Sequence, residues 1–126
     1  MRRRGTAVVF RDNRVLLVRD KGKHNFSLPG GGAERNEPSM AAAVRELFEE
    51  LKMSARKAER IFRSDFKGSI NLHKVCLIET DDDPKMHGEE LDEFIWWDMK
   101  SDVRRYSHVD QILKNINFEN DNQLSD

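Results

Sequence analysis

Cysteine is almost missing: Cys76 stands alone in 126 residues, so no disulfide can form within the chain. It lies in an alternating apolar run, where a buried strand residue is expected rather than a nucleophile. Long apolar runs are missing too. None approaches the roughly eighteen residues that a membrane-spanning helix requires. The basic start, Met1-Arg2-Arg3-Arg4, leads into an apolar run only from Ala7 to Phe10, too short for a secretory signal. A cytoplasmic protein without a membrane partner is the expectation. An excess of charge is also lacking. The 22 basic and 23 acidic side chains leave a net charge of −1, which gives no general drive toward nucleic acid. There is no internal repeat and no low-complexity linker.

The composition that is present, 37% apolar and 36% charged, implies a modest core under a heavily charged surface. The length suits one domain with a core and is too short for two ordinary ones. A single domain over 1–126 is expected, with 118–126 (FENDNQLSD) as a frayed acidic tail.

The most informative stretch is Gly30 to Met53, GGGAERNEPSMAAAVRELFEELKM. Three glycines permit a turn with unusual backbone angles and close approach of a ligand. Pro38 suits the first position of a helix, which should run to about Leu51. Taking Glu46 as zero on a helical wheel, Glu49 falls near 300° and Glu50 near 40°. Met40, Val44, Leu47, Phe48 and Leu51 fall between about 100° and 200°. One face can therefore bury while the other stacks three carboxylates. Like charges at this spacing destabilise a helix by a few tenths of a kcal/mol per pair. A hard divalent cation, bound by carboxylate oxygens and substrate phosphates, would offset that cost. A solvated acidic face is the alternative.

The flanking residues sharpen the choice. The stretch resembles the signature of the Nudix hydrolases, G-x5-E-x7-R-E-U-x-E-E-x-G-U, where U is bulky and aliphatic. Gly31, Glu37, Arg45, Glu46, Leu47, Glu49, Glu50 and Met53 match in order and spacing. Leu28-Pro29-Gly30 also looks like the family's approach to its signature. Lys52 departs, standing where the pattern has glycine. A glycine just past a helix commonly takes the left-handed conformation that ends it, so the departure bears on the exit turn and not on the acids.

The resemblance implies an α/β fold: a mixed sheet sandwiched between helices, with the signature as a loop–helix–loop. Periodicity alone gives only mixed α and β. For a small MutT-like member it implies Mg²⁺-dependent hydrolysis of a nucleoside diphosphate linked to another group, with Mn²⁺ as a substitute ion. A nucleoside triphosphate is the leading substrate, ahead of nucleotide sugars and ADP-ribose. Glu46, Glu49 and Glu50, with a carbonyl of the turn at Gly30, are the implied metal ligands. Arg45 is implied to orient carboxylates, and Glu37 to support the site through Arg45. A further acid is implied from the loop before the last strand. Glu90 is preferred, with Glu89 and Glu93 as rivals, and the general base is either Glu90 or a signature glutamate. Two other functions stay open: a nucleotide-binding module without turnover, and an enzyme trimming 5′-triphosphate RNA ends.

Elsewhere, residues 5–11 and 14–18 read as a hairpin about the Asp12-Asn13 turn. Arg2–Arg4 read as a solvated flank, with contact to an anionic substrate as the lesser alternative. Lys21 and Lys23 are candidate anion contacts before the glycine turn, with ordinary solvated loop charges as the alternative, while His24 reads as solvated. Strands are expected over 59–66, 71–79 and 94–99, and a last helix over 101–117. His73 reads as structural. Asp81–Asp83 read as a solvated turn.

Overall fold

The computed structural model describes residues 1–118; beyond Phe118, the expected tail lies outside the described residues. Among the described residues eight strands and two helices run in the order β1 (Arg2–Val8), β2 (Phe10–Arg11), β3 (Arg14–Asp20), β4 (Gly30–Gly32), α1 (Ser39–Leu51), β5 (Lys57–Arg60), β6 (Phe66–Lys67), β7 (Asn71–Glu79), β8 (Leu91–Trp97) and α2 (Ser107–Leu113). One sheet has the order β4-β1-β7-β5, with β6 also on β7. Its β1–β7 pair is parallel and its other pairs are antiparallel, so the sheet is mixed. The second sheet, β2-β3-β8, is antiparallel.

Alternation along the strands builds two cores. Ala7, Val9, Leu16, Val18, Cys76 and Ile78 pack beside Ala43, Leu47 and Leu51 of α1. Val8, Val15, Leu17, Val75, Leu77 and Trp97 pack beside Val109, Ile112 and Leu113 of α2. Side chains of period two thus feed opposite layers, giving the expected sandwich of sheet between helices. Cys76 is buried, as expected. No helix among the described residues is long and apolar enough to cross a membrane.

Several elements differ from the sequence expectation. The first strand starts at Arg2, so Arg2–Arg4 are strand residues paired with Asn71–His73 rather than a solvated flank. The run 5–11 divides at Val9 between the two sheets. Only Phe10-Arg11 forms the hairpin with β3, through Asp12 and Asn13 at φ 52° and 63°. The strand expected over 59–66 breaks at a 3₁₀ turn, Phe62–Ser64.

The last helix is confined to Ser107–Leu113, because its expected start is used otherwise. Ser101 N–H donates to Asp98, Phe26 N–H donates to the Arg104 carbonyl, and Tyr106 N–H donates to the Phe26 carbonyl. Pro38 caps α1 instead of opening it. The buried stripe of α1 centres on Ala43, Leu47 and Leu51, while Phe48 is exposed. That is a roll of about 40° from the expected face, and it draws Glu50 toward the interior.

Candidate active site

The rolled helix packs on β1 and β4. Gly30 has φ +142°, and Thr6 is its antiparallel partner on β1. Gly31 lies directly on the Glu46 side chain, and a Cβ there would stand 2.5 Å from Glu46 Cδ. The glycine turn and the carboxylate therefore occupy each other's space, which only a hydrogen at that position allows.

Glu46, Glu50 and Glu90 converge, each offering an oxygen within 4.8 Å of the others. They line a cavity of about 440 Å³ with Arg2, Arg4, Asp20, Lys21, Gly30, Gly31 and Asn71. Acids and bases thus share one chamber. Burial, together with a hydrogen bond to Glu46 and the charges of Glu46, Glu90 and Asp20, pushes the Glu50 carboxyl up to about 8. Oxygen donors gathered against their own repulsion are the donor set that a hard divalent cation takes.

Arg45 braces the outer side of this group. Its Nη1 donates to Glu46 at 2.7 Å and to Glu49 at 3.2 Å. Its Nε and Nη2 donate to the two oxygens of Glu37, and Nη2 also reaches the Gly32 carbonyl at 3.3 Å. The Arg45 hydrogen bonds and the Glu34 N–H hold the Glu37 carboxyl down at about 2.

The loop between β7 and β8 delivers Glu90. Lys52 takes the left-handed conformation, φ 56°, and its N–H donates to the Phe48 carbonyl. With α1 ended there, the last carbonyls accept from the loop: His87 N–H donates to Glu50 O, and Lys85 N–H to Leu51 O. At the far end Lys21 N–H donates to the Glu90 carbonyl. The three aspartates of the loop are structural. Asp82 accepts from Ser54 N–H, Asp83 pairs with Arg11, and Asp81 pairs with Arg56.

A profile of the NUDIX domain matches residues 1–112. The chain belongs to the Nudix family. Its fold is similar to that of a Nudix hydrolase family member from Chromobacterium violaceum, at 25% identity and a TM-score of 0.81, over 99% of this chain and 86% of that one. It also resembles a MutT Nudix hydrolase from Burkholderia pseudomallei, at 22% identity and a TM-score of 0.78, over 91% and 97% of the two chains. A UDP-X diphosphatase shares the fold at 17% identity and a TM-score of 0.77, over 97% of this chain and 64% of that one. No curated protein sequence matches the chain.

Within this Nudix domain, Lys52 supplies the left-handed exit where the signature has glycine, and its ammonium lies 4.9 Å from the centre of the Phe48 ring. Of the acids singled out in the sequence, Glu46, Glu50 and Glu90 meet. Glu49 is turned to Arg45 and is about half exposed. Glu89 lies beside Glu90 in the loop, and Glu93 pairs with Arg19. Lys23 does not reach the carboxylates. It lines an adjoining cavity that shares Arg4, Asp20 and Asn71 with the first.

The sequence offers Arg2–Arg4 as anion contacts only as the lesser reading and does not single out Asp20 or Asn71. Arg4 donates to the Leu28 carbonyl at 2.9 Å, and its Nε is buried without a partner. Burial opposes its charge, while Asp20 and Glu50 support it. The signal for Arg2 and Arg4 was their i, i+2 spacing directly before a β-branched run, which places both on one face if the strand is extended backward.

Proposed function

We propose that this Nudix domain hydrolyses the pyrophosphate bond of a nucleoside diphosphate linked to another group, with a nucleoside triphosphate as the leading substrate. The observation that supports this most is the convergence of Glu46, Glu50 and Glu90 in one chamber with Arg2, Arg4 and Lys21. Carboxylates alone would repel a diphosphate, and cations alone would hold it without activating water. Side by side they suit a reaction that must do both.

Glu46, Glu50 and Glu90 would hold Mg²⁺, or Mn²⁺ in its place, with the Gly30 carbonyl as a further oxygen and Glu49 flanking. Bound there, the ion supplies positive charge against the phosphate oxygens and makes water more acidic. Arg45 keeps Glu46 and Glu49 aimed, and Glu37 fixes Arg45. Arg2, Arg4 and Lys21 receive the remaining phosphate charge. A carboxylate of the trio takes the proton of the attacking water. Water oxygen joins phosphorus, the bridging P–O bond breaks, and two phosphate-bearing products leave. The lone buried thiol suits a reducing compartment, and we place the reaction in the cytoplasm.

The test is product release from nucleoside triphosphates, nucleotide sugars, ADP-ribose and a 5′-triphosphate RNA, with and without Mg²⁺, beside Glu50→Gln. Metal-dependent cleavage that falls by orders of magnitude in the variant is the expected result. Absence of cleavage across the panel rejects the reading. Comparing pH–rate profiles of Glu50→Gln and Glu90→Gln assigns the base.

A further inference from the structure

The register between β3 and β8 breaks at one point. Val15 to Arg19 pair in unbroken order with Trp97 to Glu93, but Asp20 pairs with Leu91. Asp92 is the residue left over. Two residues of β8 thus oppose one of β3, which makes a β-bulge, a device that re-aims side chains beside active sites.

The bulge changes the face that each side chain takes. On β8, Phe94 and Trp96 pack with the α1 core, and Ile95 and Trp97 with the α2 core. Continued alternation would send position 92 to the α1 face and position 91 to the other. Leu91 instead packs in the α1 core, and Asp92 is exposed. Without the extra residue Asp92 would stand opposite Asp20, and Leu91 would take the place of Glu90 before it.

Asp92 also fastens the turn that follows β3. Its Oδ2 accepts from Gly22 N–H at 2.9 Å and is reached by Arg19 Nη1 at 3.5 Å. The neighbouring Lys21 N–H donates to the Glu90 carbonyl at 2.9 Å. Two consecutive N–H groups therefore zip this turn to the start of β8. Lys21 and Glu90 both line the carboxylate chamber, and Asp92 does not. Glu46 and Glu50 are carried by a helix, whereas the place of Glu90 depends on how its loop is closed.

We infer that Asp92 is a positioning residue for the hydrolysis: it locks the bulge and the turn so that the Glu90 carboxylate and the Lys21 ammonium enter the chamber from fixed places. This deepens the hydrolase reading and rests on it. Asp92 itself touches neither metal nor substrate and acts through Glu90.

The experiment measures Mn²⁺ binding without substrate, by electron paramagnetic resonance of the free ion. It compares wild type, Asp92→Ala, Asp92→Asn, Glu90→Gln and the double variant of Glu90→Gln with Asp92→Ala. Asp92→Ala removes the acceptor and should weaken binding by about tenfold or more. Asp92→Asn keeps an oxygen for Gly22 N–H and should stay within about threefold of wild type. In the Glu90→Gln background, Asp92→Ala should add less than about twofold, because the acid it positions is already gone. An equal loss in both backgrounds assigns Asp92 to general stability and overturns the inference. Wild-type affinity in Asp92→Ala overturns it too, and leaves the hydrolase reading standing. If Asp92→Ala does not fold, Asp92→Glu takes its place in the cycle with the same expected pattern, since it keeps the charge and misplaces the acceptor by one methylene. If wild type binds no Mn²⁺, the hydrolase reading fails and this inference falls with it.

Discussion

Arg45 grips Glu37 with two prongs, Nε to Oε2 at 2.9 Å and Nη2 to Oε1 at 3.0 Å, across eight residues of sequence. The same guanidinium also holds Glu46 and Glu49. One cation therefore sets the direction of three carboxylates. A lysine at 45 keeps the charge and loses the fork. Arg45→Lys should lower kcat/KM by about 10- to 100-fold and raise the Mg²⁺ concentration needed for half-maximal rate. An Mg²⁺ titration checks both. A variant with wild-type rate and metal requirement would show that Arg45 does not position the acids.

Gly31 is the other control on Glu46. A methyl group there meets the carboxylate carbon at 2.5 Å, so Glu46 must move or the turn must shift. Gly31→Ala should reduce the rate by about 100-fold or more, while the far-ultraviolet circular dichroism spectrum keeps its wild-type shape. A fully active Gly31→Ala enzyme would mean that the position of Glu46 is not critical.

Glu50 links stability to pH. Its carboxyl is raised from an ordinary value of 4.5 to about 8, first by burial and then by Glu46, Glu90 and Asp20. Between those values the folded chain binds more protons than the unfolded one, so metal-free stability falls as pH rises from about 4.5 to about 8. Allowing for solvent screening, the loss is on the order of 2 kcal/mol. Urea unfolding in a chelator, from pH 5 to pH 9, should show this slope. Glu50→Gln, which cannot ionise, should flatten it. A wild-type slope of the opposite sign, or an unchanged slope in the variant, assigns the effect to other groups.

Lys52 holds a left-handed conformation that glycine adopts without strain. Lys52→Gly relieves about 1 kcal/mol of that strain and gives up the contact with the Phe48 ring, about 0.5 kcal/mol at an exposed site. A net gain of a few tenths of a kcal/mol is expected by denaturant unfolding, with activity unchanged. A loss of stability would mean that the ring contact outweighs the strain.

The acids of α1 were legible because a helix fixes them at regular angles, and because the Nudix spacing tied them to Gly31 and Glu37. The mixed sheet between helices followed from the same resemblance. Glu90 could be preferred over Glu89 and Glu93 on sequence but not fixed, since the hydrogen bonds of its loop to Glu50, Leu51 and Lys21 decide which side chain reaches the cavity. His73 was legible as a structural residue, but its partner was not. His73 and Thr6 are 67 residues apart in sequence and meet through a parallel strand pair, a relationship that leaves no local periodicity. Arg4 looks like a flank on sequence because charged residues rarely open a buried strand. The last helix is shorter than expected because Asp98 and Phe26 claim the backbone of residues 101–106, a long-range use that the apolar stripe beginning at Val109 does not reveal.

The loop between β7 and β8, which delivers Glu90, also sets an order of assembly. The carboxylates at 46 and 50 take their places once α1 packs on β1 and β4, all within the first half of the chain. Glu90 waits for β8 to pair with β3, where Asp20 faces Leu91. A chain emerging during synthesis therefore owns an acidic helix before it owns a third carboxylate. Until the late strand docks, the acidic helix alone should bind divalent ions weakly.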